Sequence, residues 1–187
     1  MRIIGGNFRG KLLLQPKDKK TRPLKDLTKE SIFNILNHSN KFLFSFKNSY
    51  ILDLFSGVGS FGIECLSREA FHVTFVENYP DVLNLLKKNL TNLKNQINYE
   101  IKNSDILENN FFKKIKNKFD LIFLDPPYTE KNINKIIDEI YKNKILNENG
   151  IIVIHRHKKD INIFPLNFQI IEEKKYGISK IIFGKFN

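Results

Sequence analysis

Short apolar segments alternate with amphipathic segments along the chain from about residue 25, and this alternation constrains the fold more than any other feature. Five apolar segments predict strands, at 50–55, 72–77, 97–102, 119–125 and 150–155. The segments between them predict helices, at about 60–69, 80–94 and 131–144. Strands that alternate with helices form a mostly parallel sheet with helices on both faces, so we expect an α/β fold.

The two ends of the chain depart from this pattern. Residues 168–176 and 179–186 predict two further strands joined near Gly177, which would close the edge of the sheet as an antiparallel pair. The sheet would then have seven strands. Residues 1–24 predict a small β-hairpin extension around its glycines, followed by a lysine-rich linker. We therefore predict an N-terminal extension, residues 1–24, and one main domain, residues 25–187.

Composition narrows the class of protein. A length of 187 residues supports one domain with a full core. The formal net charge of +11 indicates a polyanionic partner, although lysine is enriched along the whole chain and produces the same charge without any ligand. One cysteine excludes an internal disulfide, and no apolar run is long enough to span a bilayer. We expect a cytoplasmic protein with no membrane association.

A glycine loop follows the first predicted strand. The stretch DLFSGVGSFG begins at Asp53 and places glycines at Gly57, Gly59 and Gly62 in the spacing of dinucleotide-binding loops. Glu77 lies 77 − 57 = 20 positions after the first of these glycines, where a ribose-binding carboxylate is expected. The loop predicts a ligand that contains a nucleoside and leaves its identity open.

The stretch FDLIFLDPPY, residues 119–128, indicates the chemistry. Open α/β sheets bind ligands at the carboxyl ends of their strands, so Asp125 would share a crevice with the glycine loop. An exocyclic amino group is a weak nucleophile because its lone pair is delocalised. Asp125 and the carbonyl of Pro126 could accept its two hydrogens, held rigid by the fixed φ angles of Pro126 and Pro127, while Tyr128 stacks on the substrate. The alternative is a simple tight turn after a buried strand.

A second polar cluster, HRHKK at residues 155–159, follows the fifth predicted strand. His155 and His157 would share one face, but no third ligand stands at a recognisable spacing, so we predict no metal site. The cluster is interpreted either as a basic rim that faces a nucleic acid or as a solvated strand end.

These motifs, taken in order, resemble those of Rossmann-like S-adenosylmethionine-dependent methyltransferases that act on exocyclic amino nitrogens. From end to end the chain resembles the RsmD-type family, whose members methylate a guanine N2 in bacterial small-subunit (16S) ribosomal RNA. The matching segments are RIIGGNFRGKLL, TRPLKDLTKESIFNIL, DLFSGVGSFGIECLSREA, DLIFLDPPY and KKYGISKIIFG, at 2–13, 21–36, 53–70, 120–128 and 174–184.

The resemblance implies a role for each motif in binding S-adenosyl-L-methionine. The glycine loop would hold the methionine end of the cofactor through Asp53, Phe55, Ser56, Gly57 and Gly59. Glu77 would bind the two ribose hydroxyls with Asn78 beside it, and the turn at 103–105, with Ser104 and Asp105, would contact the adenine. The family often has an acidic residue soon after this glutamate, where this chain has Asn78 and Tyr79.

The resemblance also implies the substrate side of the site. Asp125, Pro126, Pro127 and Tyr128 would hold the target guanine. The N-terminal extension would bind RNA through the cations Arg2, Arg9, Lys11 and Arg22, and Arg22 would alternatively contact the cofactor carboxylate. The implied partner is small-subunit ribosomal RNA or the assembling 30S particle, bound by a monomer.

Three other functions remain open from the sequence. The same chemistry could serve adenine N6 in DNA or RNA, or a glutamine amide in a protein. The glycine loop alone would also suit a nicotinamide oxidoreductase, and the charge alone would suit a non-catalytic RNA-binding module.

Overall fold

One mixed sheet organises the part of the chain that the computed structural model describes, residues 1–16, 24–94 and 98–187. Its seven strands are β1 (Tyr50–Leu54), β2 (His72–Val76), β3 (Tyr99–Lys102), β4 (Phe119–Leu124), β5 (Leu146–His157), β6 (Phe168–Tyr176) and β7 (Ser179–Phe186). The helices are α1 (Asp26–His38), α2 (Ser60–Ser67), α3 (Pro80–Thr91) and α4 (Ile133–Lys142). Within these ranges no helix is long and apolar enough to cross a membrane.

The strand order confirms the predicted architecture. The strands lie in the order β3-β2-β1-β4-β5-β7-β6, and all neighbours from β3 to β5 are parallel. Strand β7 runs antiparallel to both β5 and β6, so the predicted C-terminal pair closes one edge. The order reverses direction at β1, because the chain moves outward to β2 and β3 and then returns to β4 on the other side.

The core consists of two apolar layers, one on each face of the sheet. Successive strand residues point to opposite faces: Ile51, Phe75 and Phe123 belong to one layer, and Leu52 and Ile122 to the other. Helices α1, α2 and α3 cover the first layer, where the rings of Phe61 and Phe123 stack at 3.9 Å between centroids. Helix α4 covers the second. The helices therefore lie on both faces, as predicted.

Two elements differ from the predicted pattern. Helix α1 is absent from the predicted helices, because Thr28 and Lys29 share its buried face and interrupt the apolar stripe. Strand β5 begins at Leu146 rather than at residue 150, and its polar start pairs Leu146 with Phe119. Asparagine and glutamate are depleted in strands, so the composition of LNENG does not predict a strand at these residues.

The N-terminal segment pairs with itself only briefly. Ile3 N–H donates to the Lys11 carbonyl at 2.9 Å, and Arg2 and Leu12 form a single antiparallel bridge. A short 3-10 turn, Gly6–Phe8, takes the place of a longer strand ladder. The two predicted hairpin strands are thus reduced to one bridge around a turn.

Helix α2 anchors this segment through its last two turns. The Glu64 carboxylate accepts hydrogen bonds from the backbone N–H groups of Ile4 and Gly5, each at 2.8 Å. Gly6 has a φ of +72°, and a Cβ there would lie 1.8 Å from the Ser67 carbonyl oxygen. Only glycine fits that close approach, which explains the second glycine of RIIGG.

A buried ionic cluster reinforces the same contact. Glu64 pairs with Arg68 at 3.0 Å and with Lys29 of α1 at 3.7 Å, and both Glu64 and Lys29 are fully buried. The Lys29 ammonium also donates to the Arg2 carbonyl at 2.7 Å. Burial lowers the pKa of Lys29 from its ordinary value, and the Glu64 carboxylate opposes that shift. Glu64 therefore ties the N-terminal segment, α1 and α2 together.

We expect Glu64→Gln to lower the free energy of unfolding by about 3 kcal/mol, because it leaves the buried Lys29 ammonium without its counter-charge. Urea denaturation of the whole chain measures this. Glu69→Gln is the matched control, since its ion pair with Lys47 is solvent-exposed and should cost less than about 1 kcal/mol. Equal, small losses from both variants would show that the cluster does not stabilise the fold.

Candidate active site

Strand β1 brings the predicted site residues to one edge of the sheet. Its last residue, Leu54, is paired with Val76 at the end of β2 and with Leu124 at the end of β4. The next residue on each strand, which is Phe55, Glu77 or Asp125, therefore leaves the sheet at the same edge. The structure thus brings the glycine loop and the D-P-P-Y loop together where the strand order reverses, the position at which open α/β sheets bind ligands.

The glycine loop turns sharply away from β1. Phe55, Gly57 and Gly59 have φ angles of +61°, +57° and +85°. A Cβ at Gly57 would meet no atom within 4 Å, so this glycine borders open space. A Cβ at Gly59 would lie 2.5 Å from Leu86 of α3, so that glycine is required for packing. Gly57 is therefore the loop position at which a ligand can approach the backbone.

Ser56 joins the ends of β1 and β2. Its hydroxyl donates to the carbonyls of Asp53 and Val76 at 2.7 and 3.0 Å, and it accepts from the Val76 N–H at 2.8 Å. Its backbone is engaged as well, since its N–H donates to the Val76 carbonyl at 3.0 Å and its carbonyl accepts from the Gly59 N–H at 2.9 Å.

Glu77 closes the loop from the β2 side. One carboxylate oxygen accepts from the Gly57 N–H at 2.8 Å, and the other accepts from the N–H groups of Asn78 and Tyr79 at 2.9 Å. These bonds fix the side chain at the crevice, where it stays half-buried. A carboxylate has about four acceptor positions, so a ribose hydroxyl can still donate to it. Asn78 is exposed beside it.

The turn after β3 lies next along the same edge. The Glu77 N–H donates to the Lys102 carbonyl at 3.2 Å, which places the end of β3 beside Glu77. Asp105 accepts from the Leu107 N–H at 2.9 Å and so holds the turn that begins just after Ser104. The positions predicted to contact ribose and adenine are thus neighbours along the sheet edge.

Asp53 is a buried carboxylate beneath the glycine loop. Only 1% of it is exposed; one of its oxygens accepts from the Gly62 N–H at 2.9 Å, and the other has no hydrogen-bond partner among the described residues. Burial raises the pKa of Asp53 well above its ordinary value, opposed by the Gly62 N–H and assisted by Asp125 and Glu77. A cationic ligand would compensate this unpaired oxygen, so the site fits a cofactor with a sulfonium and an ammonium group.

The D-P-P-Y loop presents acceptors at the same edge. Asp125 Oδ1 lies 2.7 Å from His155 Nδ1, and the Asp125 side chain keeps 19% of its surface exposed. Pro126 is buried, and its carbonyl accepts no hydrogen bond from the described part of the chain. Tyr128 is half-buried, with its ring edge-on to His157 at 5.1 Å between centroids. The loop thus carries two hydrogen-bond acceptors, the Asp125 carboxylate and the Pro126 carbonyl.

The structure describes three of the four predicted RNA-binding cations. Arg2, Arg9 and Lys11 are exposed on the N-terminal segment, and no hydrogen bond or ion pair joins their side chains to either loop within the described residues. Thr21, Arg22 and Pro23 lie outside the described residues. In the described part of the chain no three His, Cys, Asp or Glu side chains group as metal ligands.

Known proteins resemble this chain over most of its length. The family described as Conserved hypothetical protein 95 matches residues 1–185. The chain belongs to this family. Ribosomal RNA small subunit methyltransferase D of Haemophilus influenzae is 37% identical over 181 residues, 95% of this chain and 90% of that protein. A release factor glutamine methyltransferase of Shewanella oneidensis is 31% identical over only 112 residues, 59% of this chain and 34% of that protein.

Solved structures support the assignment of the chain to this family. A putative methyltransferase from Escherichia coli superimposes with a TM-score of 0.83 at 27% identity, covering 100% of this chain and 97% of that one. A putative methylase from Haemophilus influenzae gives 0.76 at 34% identity, covering 98% and 96%. The predicted Rossmann-like fold is confirmed, and so is S-adenosylmethionine as the family's cofactor. The protein is a member of an S-adenosylmethionine-dependent rRNA methyltransferase family.

Two site residues of this methyltransferase do not appear among the predicted ones. His155 and Arg156, interpreted from the sequence as a basic rim or a solvated end, are buried, with 5% and 2% of their surfaces exposed. Lys158 and Lys159 are exposed. The two buried residues continue β5 and pair with Ile181 and Lys180 of β7.

Arg156 holds the D-P-P-Y loop through its backbone carbonyls. Its guanidinium donates to the carbonyls of Pro127 and Glu130 at 3.0 and 2.8 Å, and it pairs with Asp160 at 2.8 Å. A planar fork suits several acceptors at fixed angles, which lysine cannot match. In the sequence, this role of Arg156 is indicated only by the use of arginine in a chain whose common cation is lysine.

We expect Asp53→Asn to raise the melting temperature of the cofactor-free protein at neutral pH. Because the folded-state pKa of Asp53 is raised, the group costs no stability below its unfolded pKa of about 4. Its cost then grows as the pH rises from about 4 to the raised folded-state value and stays constant above it. Asparagine keeps the acceptor for the Gly62 N–H and removes the charge.

Thermal unfolding of both proteins between pH 4 and pH 8 measures this effect, since each 1 kcal/mol moves the melting temperature by about 2–4 °C in a chain of this length. The difference should be smallest at pH 4 and largest at neutral pH. Glu108→Gln, which removes an exposed carboxylate, is the control. A difference that is constant with pH contradicts the assigned pKa direction.

Proposed function

We propose that the protein transfers a methyl group from S-adenosylmethionine to the exocyclic N2 of a guanine in small-subunit ribosomal RNA. The observation that carries this proposal is the register of β1, β2 and β4, which brings Asp125 and the D-P-P-Y loop to the sheet edge that holds the glycine loop. The printed names of several relatives, among them the Haemophilus influenzae protein, support the RNA substrate.

Different residues of the crevice would bind different parts of the cofactor. Asp53, Phe55, Ser56, Gly57 and Gly59 would hold its methionine end, which Asp53 would attract by charge. Glu77 and Asn78 would bind the ribose, and Ser104 and Asp105 the adenine. When bound, the cofactor supplies an electrophilic methyl group carried by a sulfonium.

The catalytic loop would activate the amine by position and electrostatics. Asp125 and the Pro126 carbonyl accept the two N2 hydrogens, which localises the lone pair on nitrogen and aims it across the crevice. Pro127 keeps the turn rigid and Tyr128 stacks on the purine. The proton that the amine loses passes to solvent or to the Asp125 carboxylate.

A base inside a duplex hides this amine, so the guanine must leave its stack at a cost of roughly a few kcal/mol. The N-terminal residues 1–24, with Arg2, Arg9, Lys11 and Arg22, would form an RNA-binding arm, and residues 25–187 the methyltransferase domain. Exposed cations near the RNA contribute affinity by releasing counterions. We further propose that the protein acts in the cytoplasm, as a monomer, on ribosomal RNA or the assembling 30S particle.

A second candidate keeps the chemistry and changes the substrate to a glutamine amide. It is favoured only by the partial match to the release factor methyltransferase, which covers 34% of that protein. Adenine N6 presents the same amino chemistry.

We expect Asp125→Asn to lower methyl transfer into small-subunit RNA by at least about 100-fold, because an amide presents the amine with a donor in place of an acceptor. Transfer of labelled methyl groups into purified unmethylated small-subunit particles measures the rate. Titration with S-adenosylhomocysteine should give nearly unchanged affinity. Asp138→Asn, on α4, is the control and should keep full activity.

The same assay distinguishes the substrates when DNA and a release factor are tested in parallel. Label confined to a guanine N2 of the RNA supports the proposal. Label in DNA or in the release factor, with none in the RNA, would overturn it.

A further inference from the structure

His155 is placed against the catalytic carboxylate by the register of the sheet. Strands β4 and β5 are parallel and pair Leu124 with Ile154, so the residues that follow, Asp125 and His155, leave the two strands side by side. His155 Nδ1 then lies 2.7 Å from Asp125 Oδ1. Only 5% of His155 is exposed, so the contact is shielded from water.

The two ring nitrogens of His155 have different surroundings. Nδ1 faces a carboxylate oxygen, which accepts hydrogen bonds, so Nδ1 is the donor and carries a hydrogen. Nε2 is buried and has no hydrogen-bond partner within the described ranges. The ring is thus oriented by a single polar contact, the one to Asp125.

The two carboxylate oxygens of Asp125 also have different hydrogen-bond surroundings. Oδ1 is occupied by His155, whereas Oδ2 accepts no hydrogen bond from the described residues. A carboxylate held at one oxygen has a fixed plane, which sets the direction in which the second oxygen accepts a hydrogen bond. Arg156, the next residue of β5, fixes the backbone of the same loop through the Pro127 carbonyl.

We propose that His155 is a positioning residue, which holds the Asp125 carboxylate so that Oδ2 receives a hydrogen of the substrate amino group. The inference rests on the proposed amino-methyltransferase function and assigns to β5 a part in catalysis. His155 touches neither substrate nor cofactor and acts through Asp125. Its loss should therefore lower kcat and leave the binding of RNA and cofactor unchanged.

The test compares His155→Leu with His155→Asn, whose side-chain amide nitrogen stands where Nδ1 stands and can donate to Asp125. We expect His155→Leu to lower kcat by about 30-fold, since small misplacements of reacting groups cost up to about 100-fold. KM for the particle and the affinity for S-adenosylhomocysteine should change by less than about 2-fold, since these contacts lie outside the His155–Asp125 pair.

His155→Asn should recover most of the lost kcat. His72→Leu, at the opposite end of β2, is the control for replacing a histidine. Each variant is first checked for folding by its melting temperature and by S-adenosylhomocysteine binding. An unchanged kcat in His155→Leu, or a kcat in His155→Asn as low as that of His155→Leu, would overturn the inference.

A spectroscopic measurement tests the contact without any substrate. Nitrogen-15 NMR of the histidine rings should show His155 protonated at Nδ1 in the wild-type protein, and that signature should be lost in Asp125→Ala. Protonation at Nε2 in the wild-type protein would contradict the inference while leaving RNA methylation untouched. Failure of the wild-type protein to methylate RNA, with the Nδ1 signature present, would contradict the proposed function instead.

Discussion

The reversal of strand order at β1 is the constraint on which the site depends. Because β1 lies between β2 and β4, the ends of three parallel strands open into one crevice. The loops that leave them are then tied to each other: Glu77 closes on Gly57, and Ser56 joins β1 to β2. The crevice therefore depends on the sheet register, and the loops that line it are held by side chains that bind backbone groups, those of Ser56, Glu77 and Arg156.

Much of this architecture could be predicted from the sequence, because buried parallel strands are continuous apolar runs. Strand β1 occupies 50–54 where 50–55 was predicted, and β6 and β7 match their predicted bounds. Helix α1 could not be predicted from its pattern, because a buried lysine on its inner face is paired with a glutamate from α2. Such a pairing between distant segments has no local sequence signal.

The site residues that the sequence predicted belong to local motifs, whereas those it did not predict depend on contacts between distant segments. Glu77 and Asp125 follow strands and belong to recognisable motifs, and the structure places both at the crevice. His155 and Arg156 are polar residues whose role depends on the D-P-P-Y loop in front of them and on β7 beside them. In the sequence only the use of arginine in a lysine-rich chain separates such a pair from a solvated strand end. The glycines of RIIGG likewise lie against α2, a contact that their spacing did not predict.

We propose that this crevice methylates a guanine N2 of small-subunit ribosomal RNA. The most direct measurement is the N2-methylguanosine content of that RNA, determined by mass spectrometry and mapped by nucleotide, in cells with and without the gene. We expect one methylated guanine to disappear on deletion and to return with the wild-type gene but not with Asp125→Asn. An unchanged set of N2-methylguanosines in the deleted cells would contradict it.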